Sequence, residues 1–197
     1  MSEPAESFSK ARLEAFSDGV IAVIITIMAL ELREPESAEP ADLLKLWPSF
    51  AIYLVSFVFV AVYWINHHRL LAEVPRVTAR LIWANNALLF CLSLIPFATA
   101  YVGKTNLAPF PTMVYAALQL ICALAYHLVL STIARDKRDA VFLTETRRQD
   151  YAAMAAYLAA ILVAPFSPIT TVAFLVAVLV TYVVPGLLAQ VRERRKR

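Results

Sequence analysis

The residue with the clearest potential for chemistry is Asp18, because it precedes a stretch in which an acid is costly. Residues 19–30 carry no charge, and these residues span about 18 Å as a helix. The hydrocarbon core of a bilayer is about 30 Å thick, so a crossing helix must take Asp18 below the membrane surface. An ionised carboxylate costs about 2.5–3.5 kcal/mol at mid-membrane. Two interpretations remain open: a group that is paired or reached by water, and a buried polar contact between helices.

Polar partners for Asp18 occur at the ends of two other apolar segments. Trp64, His67 and His68 lie at positions i, i+3 and i+4, so a helix places them on one face. Asn85 lies near the start of the following segment. The plainer interpretation is an interfacial tryptophan beside two exposed histidines. These histidines and His127 have no cysteine or carboxylate spaced to complete a metal site, so we expect no metal.

Composition indicates the class of protein. Of the 197 residues, 60% are hydrophobic and 17% are charged, against about 45–50% and about 25% in soluble domains. A soluble fold of this size has too little interior to bury that much apolar surface, and the same values exclude a disordered chain. The sequence therefore predicts an integral membrane protein. Both cysteines, Cys91 and Cys122, lie in apolar runs, which argues against a disulfide framework.

We predict a polytopic, all-α membrane protein in which residues 1–197 form one six-helix domain. Apolar segments of about 20 residues are long enough to cross a bilayer, and the fifth predicted span is shorter than this. The predicted spans are 11–32, 48–66, 81–102, 110–133, 151–164 and 168–189.

The distribution of basic residues predicts the orientation. Of the 18 Lys and Arg residues, only Arg33, Lys45 and Lys104 lie in connections on one side of the predicted membrane. By the positive-inside rule, both termini are then cytoplasmic in a multi-pass protein of the plasma membrane. Because topology accounts for the basic C-terminal tail, we expect no nucleic-acid partner.

Helical periodicity divides the first span into faces. At about 100° per residue, one stripe contains six residues and Thr26 lies on its flank, whereas Asp18 points roughly the other way. The stripe consists of Arg12, Phe16, Gly19, Val23, Ile27 and Leu30. This stripe either faces a pore or faces lipid, and periodicity alone leaves both alternatives open because nearly every face of this helix is apolar.

Three short patterns carry a family resemblance. Residues 12–18, RLEAFSD, resemble the R-x-x-x-F-S-D motif that opens the first helix in the transmembrane-protein-175 family of potassium channels. Trp64 and His67 look like that family's W-x-x-H segment, and residues 85–99 look like its N…PF-x-T pattern. The resemblance covers all six predicted spans.

The resemblance implies a potassium-selective cation channel, with potassium as the permeant ion and no cofactor. Short prokaryotic members carry one six-helix unit per chain, and this chain resembles those that assemble as homotetramers, in which the first helix lines a central pore. Val23, Ile27 and Leu30 match the narrowest apolar part of that pore, and Thr26 matches a hydroxyl layer linked to selectivity.

The motif also implies a structural polar network. We expect its first-helix members to be held by side chains of the second and third spans, which would fix the pore-lining helix. A network that satisfies every member specifies one arrangement, whereas a partly satisfied network is costly. The predicted members are Arg12, Phe16, Ser17, Asp18, Trp64, His67, His68 and Asn85.

Two other functions compete with the channel. The first alternative is a cation- or proton-coupled secondary transporter that uses Asp18. Transporters of this kind often have internal repeats and Gly- or Pro-broken helices, but here only Gly19 and Pro96 lie well inside predicted spans. An enzyme ranks last because no nucleophile–base pair or metal constellation has a definable spacing.

Overall fold

The computed structural model describes residues 9–136 and 141–194, and it describes side chains at 9–135 and 147–183. Eight α-helices occur in these ranges and no strand does, so the predicted all-α fold is confirmed. The helices are α1 (Lys10–Leu30), α2 (Pro40–Lys45), α3 (Trp47–Ala72), α4 (Ala79–Ser93), α5 (Ile95–Lys104), α6 (Pro109–Asp136), α7 (Val141–Val163) and α8 (Pro168–Arg194). Lys137 and Arg138, which contributed to the predicted orientation, lie outside the described residues, as do residues 195–197.

Helices cover most of each of the six predicted spans, but the third span is divided between two helices. The break between α4 and α5 falls at Leu94, two residues before Pro96. Proline has no N–H to donate to the carbonyl oxygen four residues earlier, and its ring clashes with that carbonyl. Pro96 therefore interrupts the backbone ladder while α5 continues the path of α4.

Several helices extend beyond the predicted limits. The helix α3 runs six residues past position 66, and α7 begins ten residues before position 151. The predicted spans ended at the first polar residues, but a helix can continue beyond the membrane into water where its residues favour helical structure. The short helix α2 was not predicted and lies between α1 and α3, where Lys45 pairs with Asp42 at 2.6 Å.

Four apolar helical segments are long enough to cross a membrane within the described part of the chain. These are Lys10–Leu30, Trp47–Ala72, the α4–α5 unit Ala79–Lys104, and Pro109–Arg135 in α6. A shorter apolar stretch, Pro168–Val183, opens α8. The chain is therefore a multi-pass membrane protein, while the full count of six crossings stays a prediction.

The helix α6 lies at the centre of the bundle, where it packs against α4, α5, α7 and α8. The helix α1 lies at the edge and contacts α3, α4 and α5. Gly103 permits close approach of α5 to α3, since an added Cβ would lie 2.9 Å from Ser49 Oγ. Near the same end, Lys104 pairs with Glu31 at 3.0 Å and so joins α5 to the residue that follows α1. These contacts hold α1 against the bundle along one side only.

Candidate functional site

One side of α1 is buried against the bundle. Its buried residues recur every three or four positions and form a single stripe, which consists of Leu13, Ser17, Ile21, Ile24 and Met28. Burial of four apolar side chains, at about 1.5–3 kcal/mol for each fully buried one, favours this rotation of the helix over others. The packing therefore decides which residues of α1 remain uncovered.

The uncovered side of α1 is the stripe that periodicity predicted. Val23 is 55% exposed, Ile27 is 42% exposed and Leu30 is 83% exposed, and Phe16 is exposed on the same side. Gly19 lies between them, with open space where a Cβ would be. Among the residues that the structure describes, none covers this apolar strip of α1.

Thr26 lies on the flank of this strip. It is exposed, and its Oγ1 donates a hydrogen bond to the carbonyl oxygen of Val23 at 2.9 Å. A hydroxyl has one donor hydrogen and two acceptor lone pairs. Because the backbone uses the hydrogen, the oxygen remains available as a ligand for a cation.

A buried chain of hydrogen bonds ties α1 to α3 and α4. The Nε2 atom of His67 is 2.6 Å from Asn85 Oδ1, an acceptor, so His67 donates. Asn85 Nδ2 donates to Ser17 Oγ at 3.0 Å. Ser17 in turn donates to the carbonyl oxygen of Leu13 at 2.8 Å. All three side chains are buried, and each link donates in the same direction.

Asp18 lies outside this buried chain but contacts another predicted network residue. It is exposed at the edge of α1 and accepts a hydrogen bond from Trp64 Nε1 at 2.8 Å. His68 is also exposed, and its ring stacks on Trp64 with centroids 6.2 Å apart. One residue turns a helix by about 100°, so Ser17 occupies the inward position and Asp18 the flank.

Arg12 and Phe16 do not join the network that the described residues form. Both are exposed on the uncovered side of α1, and no hydrogen bond or ion pair joins Arg12 to any side chain that the structure describes. The eight predicted network residues therefore separate into three sets. Ser17, His67 and Asn85 are buried and bonded; Asp18, Trp64 and His68 are in contact at the surface; Arg12 and Phe16 stand apart.

Sequence reasoning missed two further polar clusters, which together contain three side-chain contacts. Thr99 Oγ1 donates to Ser56 Oγ at 2.7 Å, and Ser56 lies 2.8 Å from Tyr115 OH, which links α5, α3 and α6 in the interior. His127 Nδ1 lies 3.0 Å from Asp150 Oδ2 and joins α6 to α7. Asp150 is only 3% exposed. Ser56 could have been singled out from the sequence because it is a lone polar residue in an apolar run. Sequence spacing, however, did not indicate its partner.

Comparison with known proteins places these features in a family. The family model described as the endosomal/lysosomal potassium channel TMEM175 matches residues 12–96, a range that holds every predicted pore and network residue. A potassium channel of Chryseobacterium sp. (strain P1-3) is 38% identical over 180 residues, which cover 90% of this chain and 94% of that protein. A potassium channel of Chamaesiphon minutus is 35% identical over 136 residues, which cover 64% of this chain and 67% of that protein.

A solved structure agrees with the sequence matches. The crystal structure of a lysosomal potassium-selective channel TMEM175 homolog from Chamaesiphon minutus superposes with a TM-score of 0.82 at 28% identity. The match covers 89% of this chain and 97% of that one. The resemblance predicted from three short motifs is thereby confirmed, and this chain belongs to the TMEM175 family.

Proposed function

We propose that this chain is one subunit of a potassium-selective channel, and that four copies surround a pore lined by α1. The observation that most supports this proposal is the uncovered apolar strip of α1, which lies opposite the face that packs on the bundle. The potassium channels named above, similar over most of this chain, support the same activity. In a tetramer, the α1 strips of the four subunits would face one another around an ion path.

In this proposal Val23, Ile27 and Leu30 form the constriction. They are exposed on one side of α1, and they span about 10 Å along a helix with a rise of 1.5 Å per residue. Four copies would form rings of branched apolar side chains. Such rings exclude water, so an ion must give up part of its hydration to pass, and the pore can close by dewetting.

The buried hydrogen-bond chain would then act as the support for the pore helix. Ser17, Asn85 and His67 fix α1 against α4 and α3, and with it the direction in which Ile27 points. Arg12 and Phe16 lie on the uncovered side, so their partners in this proposal belong to a neighbouring subunit. In this proposal some polar residues hold α1 in place within its own subunit, and others on α1 contact the neighbouring subunit.

For placement in the membrane, we propose six crossings with both termini in the cytoplasm and insertion in the plasma membrane. The α7 and α8 helices would be the fifth and sixth crossings, in addition to the four long apolar helical segments described above. The scarcity of basic residues in the connection between α1 and α3 supports this orientation.

Planar-bilayer recording with potassium on one side and sodium on the other tests the proposed activity. A potassium-selective channel gives single-channel current steps, and its reversal potential is displaced towards the equilibrium potential of potassium. Saturating flux without unitary steps would instead favour the transporter. Mass measurement of the detergent-solubilised assembly tests the tetramer in the same preparation.

We expect replacement of Asp18 by Ala to alter assembly more than ion preference. The change removes the acceptor for Trp64 Nε1, and a single hydrogen bond contributes about 0.5–1.5 kcal/mol. The melting temperature of the assembled protein should fall slightly, while the bi-ionic reversal potential should hold. Asp18→Asn keeps an acceptor oxygen and is the control. A well-assembled Asp18→Ala protein that conducts without ion preference would place Asp18 in the ion path.

Thr26→Val tests the proposed selectivity layer. Valine preserves the shape of threonine and removes the hydroxyl oxygen, so the potassium-to-sodium permeability ratio should fall while conduction survives. Thr26→Ser keeps the oxygen and should retain most of the ratio. The measurement is the bi-ionic reversal potential, and a ratio that is unchanged in Thr26→Val would refute the assignment.

A further inference from the structure

A groove between α4 and α6 lies away from the α1 strip. It has a volume of about 260 Å³, and it opens where α4 begins and α6 ends. The residues that line it come from these two helices only: Arg80, Trp83, Ala84, Leu128, Ser131, Thr132 and Arg135. No residue of α1 lines it, so the proposed ion path makes no use of this groove.

The rim of the groove is positively charged. Arg80 comes from α4 and Arg135 from the last turn of α6, and both are exposed. Neither guanidinium has a hydrogen-bond or ion-pair partner among the side chains that the structure describes. Two cations facing one cavity repel each other, and a shared anion would relieve that repulsion. Arginine suits phosphate because its planar fork makes paired hydrogen bonds.

The wall below the rim is apolar and faces outward. Trp83 is 74% exposed and Leu128 is 50% exposed. Both belong to helices long and apolar enough to cross the membrane. Tryptophan is enriched at the level of the lipid headgroups. The groove thus combines a cationic end with an apolar surface that continues along the membrane helices.

Ser131 lies between the two parts of the groove. Its side chain is half-buried, and its hydroxyl has no partner among the described residues. The neighbouring Thr132 hydroxyl donates to the carbonyl oxygen of Leu128 at 2.8 Å. An oxygen-rich ligand at the rim would find a donor in Ser131 as well as in the arginines.

We propose that this groove binds an anionic phospholipid, with its phosphate between Arg80 and Arg135 and an acyl chain along Trp83 and Leu128. Basic pockets between membrane helices on the cytoplasmic side recognise anionic headgroups in this way. The positive-inside rule places this end of the bundle at the cytoplasmic leaflet. The exposed apolar wall favours a lipid over free phosphate, because a water-soluble anion would gain nothing from it.

Titration of the purified full-length protein in detergent, read out by native mass spectrometry, tests the site. The probes are phosphatidylglycerol, phosphatidylcholine and inorganic phosphate. The wild-type protein should bind phosphatidylglycerol more tightly than phosphatidylcholine. The Arg80→Gln/Arg135→Gln double variant should weaken phosphatidylglycerol binding about thirtyfold, which corresponds to about 2 kcal/mol at 1.4 kcal/mol per tenfold and to two basic residues at about 1 kcal/mol each.

Two further double variants separate the site from general charge and from misfolding. Arg147→Gln/Arg148→Gln removes the same charge from exposed positions of α7 outside the groove, and it should leave phosphatidylglycerol affinity within about threefold of wild type. Arg80→Lys/Arg135→Lys keeps both charges but loses the paired hydrogen bonds of the guanidinium, so its affinity should lie between that of the wild type and that of the glutamine variant. Equal losses in the α7 variant, or no loss in the glutamine variant, would overturn the site.

A single variant distinguishes the lipid from its soluble counterpart. Trp83→Ala should weaken phosphatidylglycerol binding severalfold because it removes the largest part of the apolar wall. Inorganic phosphate at millimolar concentration should not displace the lipid. Displacement by inorganic phosphate, together with full affinity in Trp83→Ala, would show an anion site that does not recognise lipid and would refute the proposal.

Discussion

Replacing Ile27 with Asn should raise the single-channel current, with potassium selectivity held or reduced. Ile27 is exposed on the uncovered side of α1, so the proposed tetramer would place four copies of the new amide at the pore axis. An amide offers donors and acceptors to water, so the ring would stay wet and the dewetting barrier would fall. Each reduction of about 1.4 kcal/mol in that barrier would raise the rate of ion passage tenfold.

The competing expectation is that this side of α1 faces lipid. An amide in hydrocarbon would then lower the yield of folded protein and leave the conductance of surviving channels unchanged. Ile121→Asn is the matched control, because Ile121 is an exposed isoleucine of α6. Ile27→Ala, which widens the ring without adding polarity, should give a smaller increase in current. Normal conductance from a well-folded Ile27→Asn channel would contradict the constriction.

Replacing Asn85 with Leu should destabilise the assembled protein and leave the ion preference of the surviving molecules unchanged. Leucine is similar in size but removes the acceptor for His67 and the donor to Ser17. Each buried group left without a partner costs about 1–3 kcal/mol in general, and interhelical bonds in membranes contribute about 0.6–2 kcal/mol each. The readouts are the melting temperature and the tetramer fraction in detergent.

A double variant makes this prediction specific to the hydrogen-bond chain. Replacing both partners with apolar groups is less costly than leaving one unsatisfied, so His67→Phe combined with Asn85→Leu should lose less stability than the two single losses added together. Asn86→Leu is the control, because Asn86 is adjacent, half-buried and without a hydrogen-bond partner among the described residues. A strictly additive double variant, or an equal loss in Asn86→Leu, would count against the chain as a support for α1.

Much of the membrane architecture was predictable from the sequence. The hydrophobic content indicated a membrane protein, and the long apolar runs indicated helices, because a helix needs about 20 apolar residues to cross a bilayer. A period of about 3.6 residues also placed Val23, Ile27 and Leu30 on one side of α1, and the structure leaves that side uncovered. The three short motifs were sufficient to indicate the family, since each combines a polar group with a fixed position in an apolar helix.

The tertiary structure decided how the polar groups pair. Periodicity could not separate Ser17 from Asp18 as the inward residue, because nearly every side of α1 is apolar and its rotation depends on packing against α3, α4 and α5. The pairs Ser56–Tyr115 and His127–Asp150 join residues 59 and 23 positions apart, and the rim of the α4–α6 groove joins Arg80 to Arg135. A sequence determines what each helix must bury, whereas the distances between side chains on different helices follow from how those helices pack.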